Sequence, residues 1–401
     1  MGWIRGLSFM QYGKEMLKHR KMMQRHLSRK EALSYDPAIA VEAQTLVKNL
    51  VHPDFGGFTK AIRRFTLSSI MRLTFGHKLE SDNDEYIELM DNLHVALSTC
   101  GPAGNTPIDF FPWLRHMPSW FPGTHYGNVA RAQSKWIRKL YEAPVQHVQE
   151  AMKTKTFDKS FISSNLEGLD HDATGPEAVE IEDIKGATAQ IFSAATDTSY
   201  ITLLMFFLAM LRYPECQKRA YEEIVSVVGR DRLPTLDDRD SLPYIDCILQ
   251  EIFRWHPPGP FGIPHATIED DVYKGMFIPK GSVVIPNIGM SIDSKVYSNP
   301  FEFEPTRFLP APEGRGEPRF PAWGFGRRIC PGRYFADLNV WNAIACIVAT
   351  VELVPKKDEM GNPKIPKLEF IEGLTSEPVP FECDVRPRAE AQALIAQLEA
   401  A

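Results

Sequence analysis

Apolar residues recur every three to four positions through much of the chain, which is the period of a helix with one buried face. Two stretches, 262–290 and 351–383, instead alternate apolar and polar residues around turns, as short strands do. The pattern therefore predicts a mainly α fold with a minor β region, built as one domain over residues 1–401. The predicted helices span residues 11–27, 37–51, 58–75, 84–98, 129–155, 181–211, 214–228, 241–255 and 334–348.

Three further segments lie outside these helices and strands. Residues 157–180 are polar and are expected to be mobile, and 387–401 are expected to form a short exposed helix. Residues 101–127 are rich in proline and aromatic side chains. A loop of that length inside a compact domain is usually functional, although this one also fits a hydrophobic latch over the core. Its aromatic residues include Phe110, Phe111, Trp113, Trp120 and Phe121.

The predicted helix 181–211 is apolar almost all round, so we expect it to be buried. Its middle nevertheless contains Asp197, with a threonine on either side. A buried acid is costly unless it is hydrogen-bonded. The neighbouring hydroxyls have a simple structural use, because a helical threonine can bond back to the carbonyl four residues earlier.

Composition narrows the class of protein. The chain has 401 residues, of which 44% are hydrophobic, and its formal charge of -6 gives no argument for nucleic-acid binding. It shows neither a signal peptide nor a transmembrane run. The cysteines are scattered without the spacing of a disulfide framework, so a reducing compartment is expected. They are Cys100, Cys216, Cys247, Cys330, Cys346 and Cys383.

Residues 323–332, with the sequence WGFGRRICPG, hold the most informative of these cysteines, Cys330. Three glycines allow a tight loop whose main-chain N–H groups can point at the sulfur. Those donors, the cations Arg327 and Arg328, and the start of the following helix would all favour a thiolate. A thiolate of this kind is a nucleophile or a metal ligand, and the absence of partner ligands nearby argues against a zinc site. The simpler alternative is a buried cysteine that acts as a small hydrophobe.

This loop closely resembles the haem-binding signature of the cytochrome P450 superfamily. The signature is an aromatic residue, two residues, glycine, one residue, arginine, one residue, cysteine, one residue and glycine. The family usually has phenylalanine at the first position, where this chain has tryptophan. The resemblance implies that Cys330 is the axial ligand of a haem (heme b, iron-protoporphyrin IX). The matching positions, implied to bind the cofactor, are Trp323, Gly326, Arg328, Cys330 and Gly332.

Other segments match the same family in the same order. The family places small residues and an acid–alcohol pair over the distal face of the haem, and here these are Ala194, Ala195, Asp197 and Thr198. The resemblance implies that Asp197 and Thr198 relay protons during oxygen activation. It also implies a structural network of Glu251, Arg254 and Arg307 that supports the cysteine loop.

The resemblance further implies contacts to the haem propionates and a substrate pocket. Arg20, His265 and Arg328 are the expected propionate ligands, while Met16 stands where the family usually has tryptophan. The turn around 373–375 is expected to form a hairpin tip in the pocket. The residues expected to line that pocket are Phe261, Ile263, Ile191 and Leu374.

The function implied is a monooxygenase that inserts one atom of O2 into an apolar organic substrate. Electrons would come from NADPH-cytochrome P450 reductase, docked near Arg327 and Arg333. The alternatives are a haem-thiolate isomerase or dehydratase and a non-enzymatic haem-binding remnant.

The motifs most resemble those of fungal family members that act in secondary metabolism or xenobiotic oxidation. Such members sit on the cytosolic face of the endoplasmic reticulum membrane, and the 101–127 loop would form the roof of the channel and touch the bilayer. The usual anchor, first sheet strands and first helices have no counterpart here, so we expect an N-terminally truncated P450 fold.

Overall fold

The computed structural model describes residues 2–98, 106–170, 175–371 and 373–400. The helices follow the predicted apolar periods to within a few residues at most ends. In chain order they are α1 (Lys14–Leu27), α2 (Arg29–Ser34), α3 (Asp36–Val51), α4 (Phe58–Phe75), α5 (Glu85–Ser98), α6 (Pro107–Phe110), α7 (His125–Thr154), α8 (Phe161–Leu166), α9 (Pro176–Arg212), α10 (Pro214–Val227), α11 (Pro243–Trp255), α12 (Arg333–Thr350) and α13 (Gln392–Ala400).

Helix α9 forms the centre of the fold, as its all-round apolar sequence predicts. It packs against α4, α7, α11 and α12. The rings of Phe58 and Phe207 stack with their centroids 4.9 Å apart where α4 meets α9. The helix ends at Arg212 because Tyr213 precedes a proline and takes an extended φ of -129°.

Length and composition alone would let α9 cross a membrane. Its most apolar window is, however, 78% buried against the rest of the protein. That burial is what the central helix of a globular domain requires, and it accounts for the hydropathy of α9 without a bilayer.

The described strands form four antiparallel pairs rather than one continuous sheet. In the pair β2–β3 the turn residues Lys274 and Gly275 both have positive φ, 49° and 80°, which gives the twist that a two-residue hairpin needs. The pairs are β1 (His265–Ala266) with β4 (Val283–Val284), β2 (Asp271–Tyr273) with β3 (Met276–Ile278), β5 (Val351–Val354) with β8 (Asp384–Pro387), and β6 (Phe370–Ile371) with β7 (Glu377–Pro378).

Two predicted irregular segments contain more order than the sequence indicates. The prediction of a mobile stretch over 157–180 is wrong for α8, because Phe161 and Leu166 are fully buried and Ser160 closes a capping box with Ser163. Residues 171–174 of that stretch lie outside the described residues.

In the 101–127 loop, α6 and a 3-10 helix (Pro112–His116) form, and α7 begins at His125. Residues 101–105 of that loop, and Cys100, lie outside the described residues. The C-terminal helix α13 is also less exposed than predicted, because Leu394 and Ile395 are buried and α13 packs on α3.

Candidate active site

Two glycines shape the loop that presents Cys330. Gly324 and Gly326 have φ values of 78° and 57°, in the left-handed region where a side chain would be strained. A single 3-10 turn, Gly326–Arg328, follows, and the N–H of Cys330 donates to the carbonyl of Trp323 at 2.8 Å. The indole of Trp323 packs edge-on against Phe253 of α11 with centroids 4.9 Å apart. The loop is thereby fixed to α11 before α12 begins.

The Cys330 sulfur is surrounded by donors and cations. Burial raises the pKa of the thiol, whereas the N–H groups of Gly332 and Arg333 and the charges of Arg333 and Arg20 lower it. The sequence predicted main-chain N–H donors to the sulfur, and they are present. It predicted Arg327 and Arg328 as the nearby cations, whereas the cations that lower the pKa of Cys330 most are Arg333 and Arg20. Burial outweighs these groups in the free thiol, whose pKa is raised; binding of a metal by a thiol releases its proton.

The predicted propionate ligands gather beside this loop. Arg20 donates from Nη2 to the carbonyl of Ile329 at 2.7 Å, and Arg328 donates to the carbonyls of Leu7 and Met10 at 3.2 and 2.7 Å. Burial and the neighbouring Arg328 lower the pKa of His265.

The same cations repel one another. Burial, Arg333 and Arg328 lower the pKa of Arg20, while Cys330 raises it. A site where neighbouring cations lower the pKa of an arginine favours an anionic ligand, and the carboxylates of a haem are such a ligand. Met16, at the position where the family usually has tryptophan, is completely buried in the core next to them.

The middle of helix α9 is open to solvent at a few positions. Ala194 is exposed and Ala195 and Thr198 are half-exposed, whereas most of the helix around them is buried. The hydroxyl of Thr198 donates to the carbonyl of Ala194 at 2.8 Å, which is the back-bonding that a threonine in mid-helix commonly makes. Ile191, one turn earlier, is buried rather than open.

The carboxylate of Asp197 makes contacts that the sequence did not predict. His94 of α5 places Nδ1 2.8 Å from Oδ1, and the Thr375 hydroxyl donates to Oδ2 at 3.1 Å. Oε1 of Glu377 lies 3.7 Å from Nε2 of the same imidazole. The bond to Asp197, and then Glu377, raise the pKa of His94 to about 10. His94 lies 103 residues from Asp197 in sequence, and helix α5 reads only as scaffold.

Glu251, Arg254 and Arg307 are brought together as predicted, and all three side chains are fully buried. Arg254 donates two hydrogen bonds of 2.7 Å to the two oxygens of Glu251. Arg307 donates to Oε1 of Glu251 at 3.0 Å and to Glu317 at 2.7 Å. Further N–H groups of both arginines donate to main-chain carbonyls between 291 and 302.

The predicted pocket residues are divided between two places. Phe261 and Ile263 are exposed on either side of Gly262, which has φ 57°. Leu374 is half-buried in the turn between β6 and β7. Their contact with a substrate stays a prediction.

The residues present fit a haem. Within the described residues no three His, Cys, Asp or Glu side chains form a metal-binding group, so Cys330 is a single thiolate ligand of the kind that a porphyrin iron takes. At Gly324, Gly326 and Gly332 nothing lies within 4 Å of the position of an added Cβ, so the loop has an open face. The cations Arg20 and Arg328 suit carboxylates, and the His265 imidazole can donate a hydrogen bond to one.

Comparison with known proteins agrees with this site. The family model described as Cytochrome P450 matches residues 2–384. "Cytochrome P450 monooxygenase 136" of Postia placenta is 40% identical over 97% of this chain and 74% of its own length. "Cytochrome P450 monooxygenase claR" of Ampulloclitocybe clavipes is 37% identical, over 98% and 73% of the two chains.

A zebra fish cytochrome P450 solved with progesterone superimposes with a TM-score of 0.79 over 96% of this chain and 85% of its own. At 21% identity, that likeness concerns the fold alone. The family as a whole works with haem, O2, an organic substrate and a redox partner. This chain belongs to the cytochrome P450 family and is a haem-thiolate monooxygenase.

Proposed function

We propose that this chain oxidises an apolar organic substrate with electrons from NADPH-cytochrome P450 reductase. The observation that supports it most directly is the Cys330 sulfur, which is held by the N–H groups of Gly332 and Arg333 and lies near the cations Arg333 and Arg20. A bound haem supplies the redox chemistry that activates O2. The apolar character of the substrate rests on the exposed Phe261 and Ile263 and the half-buried Leu374.

The chain's own residues then have separate tasks. Cys330 ligates and donates charge, while Arg20, Arg328 and His265 hold carboxylates by charge-assisted hydrogen bonds. The hydroxyl of Thr198 lies in the open middle of α9 and can hold a proton there, once it turns from the Ala194 carbonyl.

The first test is the absorption spectrum of the dithionite-reduced protein with carbon monoxide. We expect the red-shifted Soret band of a thiolate-ligated ferrous complex in the wild type, and its loss in Cys330→Ala. Cys383→Ala, which changes a half-buried cysteine outside the loop, is the matched control. Haem bound with an unshifted band in the wild type would contradict thiolate ligation.

Two alternative functions have their own tests. An isomerase or dehydratase consumes neither O2 nor NADPH, so it would form product without NADPH. In a monooxygenase product forms only with NADPH and O2, and Thr198→Ala lowers the ratio of product to NADPH consumed. A non-enzymatic remnant would purify with well under one haem per chain. The opening of α9 at Ala194 and Thr198 favours the monooxygenase over both.

The proposed reductase surface lies beside the cysteine loop. Arg327 is exposed and stacks over Tyr12 at 5.6 Å, and Lys14 and Lys21 are exposed on the neighbouring α1. Arg333, the second predicted contact, is half-buried, and its guanidinium lies against Tyr334 and the carbonyl of Cys330, so its part in this surface stays a prediction.

We expect Arg327→Glu to slow haem reduction by NADPH and reductase severalfold, because it reverses a charge that an acidic partner would contact. Reduction by dithionite should be unchanged. Lys153→Glu, at the end of α7, is the control for a general charge effect. Equal slowing in both variants would contradict the assignment of this surface.

A membrane contact is proposed for the aromatic cluster between α6 and α7. Phe110, Phe111, Trp113 and Trp120 are exposed, the first and last by 68% and 79%. Aromatic side chains suit the interface of a bilayer, and attachment there would place the enzyme on the cytosolic face of the endoplasmic reticulum. Trp113→Ser with Trp120→Ser should reduce flotation with phosphatidylcholine vesicles, while Phe301→Ser, at an equally exposed ring elsewhere, should not.

A further inference from the structure

Three segments that are distant in sequence meet around the carboxylate of Asp197. His94 of α5 contacts Oδ1 at 2.8 Å and Thr375 contacts Oδ2 at 3.1 Å, so both oxygens are occupied. Glu377 lies on the other side of the imidazole, 3.7 Å from Nε2. His94 thus stands between two carboxylates, one on the central helix and one on β7.

Burial makes the imidazole important to Asp197. The Asp197 side chain is only 5% exposed, whereas His94 and Glu377 are 22% and 20% exposed. Arg63 of α4 is paired with Asp91 at 3.1 Å and stacks over Tyr200. Burial raises the pKa of Tyr200, Arg63 opposes this, and Glu377 and Asp197 add to it, which places all of these groups in one electrostatic neighbourhood.

The imidazole is suited to holding a charge rather than passing a proton. A proton shuttle works best when its pKa lies near the working pH. The pKa of His94, at about 10, keeps the ring protonated at neutral pH. A ring that remains an imidazolium is a permanent partner for the carboxylate.

We propose that His94 is a positioning residue, which as a cation, together with the hydroxyl of Thr375, keeps the charged Asp197 carboxylate paired and turned towards α5 and the β6–β7 turn. This inference rests on the proposed function, because it gives the acid of the acid–alcohol pair a defined resting place. Leu374 lies next to Thr375 in the same turn, so displacement of that turn also withdraws one of the two contacts to Asp197.

The functional consequence concerns where protons go. Reduction of O2 to hydrogen peroxide takes two electrons and two protons, and full reduction to two waters takes four of each. Loss of the cation leaves a buried carboxylate without its charge partner, so the acid no longer has a fixed orientation. Protons then reach the oxygen atoms out of order and a larger share of the NADPH electrons leaves as peroxide.

The first measurement is the titration of His94 by NMR in protein with 13C-labelled histidine, in the diamagnetic ferrous–carbon monoxide form. His94→Gln assigns the signal. We expect a pKa near 10 in the wild type and a fall towards the ordinary value of 6.5 in Asp197→Asn. A wild-type value near 6.5, or no change in Asp197→Asn, would overturn the proposal.

The second measurement is hydrogen peroxide formed per NADPH, with reductase and without added substrate. We expect His94→Gln, which loses the charge, to raise the peroxide share at least twofold, and His94→Arg, which keeps it, to restore most of the wild-type value. The matched control is His77→Gln, since His77 pairs with Asp84 at 2.7 Å outside the site. Equal peroxide shares in His94→Gln and His77→Gln would overturn the proposal.

The carbon monoxide spectrum of the same preparations distinguishes failure of the positioning role from failure of the proposed function. A normal thiolate band with a His94 pKa near 6.5 would reject the positioning role alone. An absent thiolate band would reject the proposed function.

Discussion

The protein contains two clusters of buried charge, which differ in their balance of acids and cations. The structural cluster of Glu251, Arg254 and Arg307 is completely buried, and Glu317 adds a second acid to match its two cations. The distal cluster of His94, Asp197 and Glu377 has two acids for one cation and remains partly exposed. A balanced, sealed cluster fixes the chain, while an open cluster with excess negative charge can exchange partners.

The two clusters also connect different parts of the fold. The structural cluster joins α11 to the segment 291–317, which leads directly into the Cys330 loop. The distal cluster joins α5, α9 and the β6–β7 turn, three elements whose relative position changes if the turn moves. The first therefore determines whether the site exists, and the second how it works.

The largest effect is expected from Glu251→Gln, which would break the structural cluster. The change leaves two buried guanidinium groups without their shared carboxylate, and removal of one partner from such a pair costs about 3–5 kcal/mol of unfolding free energy. Urea unfolding and haem content of the purified protein measure the loss. Glu222→Gln, an exposed acid on α10, is the control and should change neither. Full haem content in Glu251→Gln would show that the cluster does not support the loop.

These two clusters also show what could be predicted from the sequence. Glu251 and Arg254 are one helical turn apart, and Arg307 follows in a recognisable motif, so their roles follow from local spacing. The Cys330 loop is likewise local, and the helices follow their apolar period. The cations around Cys330 were assigned to the wrong arginines because Arg20 reaches the loop from α1, 309 residues away from its Ile329 contact.

The distal cluster had no comparable signal. His94 and Thr375 are ordinary residues on an ordinary helix and turn, and only the packing of α5 and the turn against α9 brings them to Asp197. Helix α8 was missed for a related reason, because six residues are too few to show a helical period, although the Ser160 cap was present in the sequence.

The second-largest effect is expected from a fall in pH. It should destabilise the contacts of the β6–β7 turn, which belongs to the distal cluster, at a higher pH than it destabilises the structural cluster. His256 stacks on Phe370 at 3.7 Å and contacts Ser376 at 3.1 Å, and burial lowers its pKa to about 4. The unfolded chain, with a histidine pKa near 6.5, takes up the proton first, so stability falls as pH drops from about 6.5 to 4. Between pH 7 and pH 5 the loss is about 2 kcal/mol.

Unfolding of wild type and His256→Asn at both pH values measures this loss, which should be absent from the variant. Glu317 provides the contrast within the structural cluster, because Arg307 and Arg315 outweigh burial and lower its pKa to about 2. Its contribution is complete above the unfolded value near 4.5 and is lost only as pH falls from there towards 2. If His256→Asn loses as much unfolding free energy between pH 7 and pH 5 as the wild type does, the pH sensitivity belongs to another group.

A smaller effect is expected from Thr375→Val, which removes one of the two contacts to Asp197 without changing any charge. A hydrogen bond to a charged group contributes about 1.5–3 kcal/mol to stability. This one is long at 3.1 Å and half-exposed, so we expect the variant to lose about 1 kcal/mol of unfolding free energy in urea. Because Thr375 and His94 share one carboxylate, the double variant with His94→Gln should not show the sum of the single losses. If the two losses of unfolding free energy add exactly, the Thr375 and His94 contacts act independently of each other.

The smallest effect is expected at the exposed edge of the structural cluster, where Arg315 contacts Glu304 at 2.8 and 2.7 Å and Glu317 at 2.8 Å. The Arg315 side chain is 38% exposed, so water already screens these charges and Arg315→Gln should cost less than about 1 kcal/mol. The loss should shrink further in 0.5 M salt, whereas the loss in Glu251→Gln should not, because salt screens exposed pairs and barely reaches buried ones. Urea unfolding of both variants at two salt concentrations makes the comparison. A cost in Arg315→Gln as large as that in Glu251→Gln would mean that the cluster is stabilised from its surface and that complete burial is not what makes it structural.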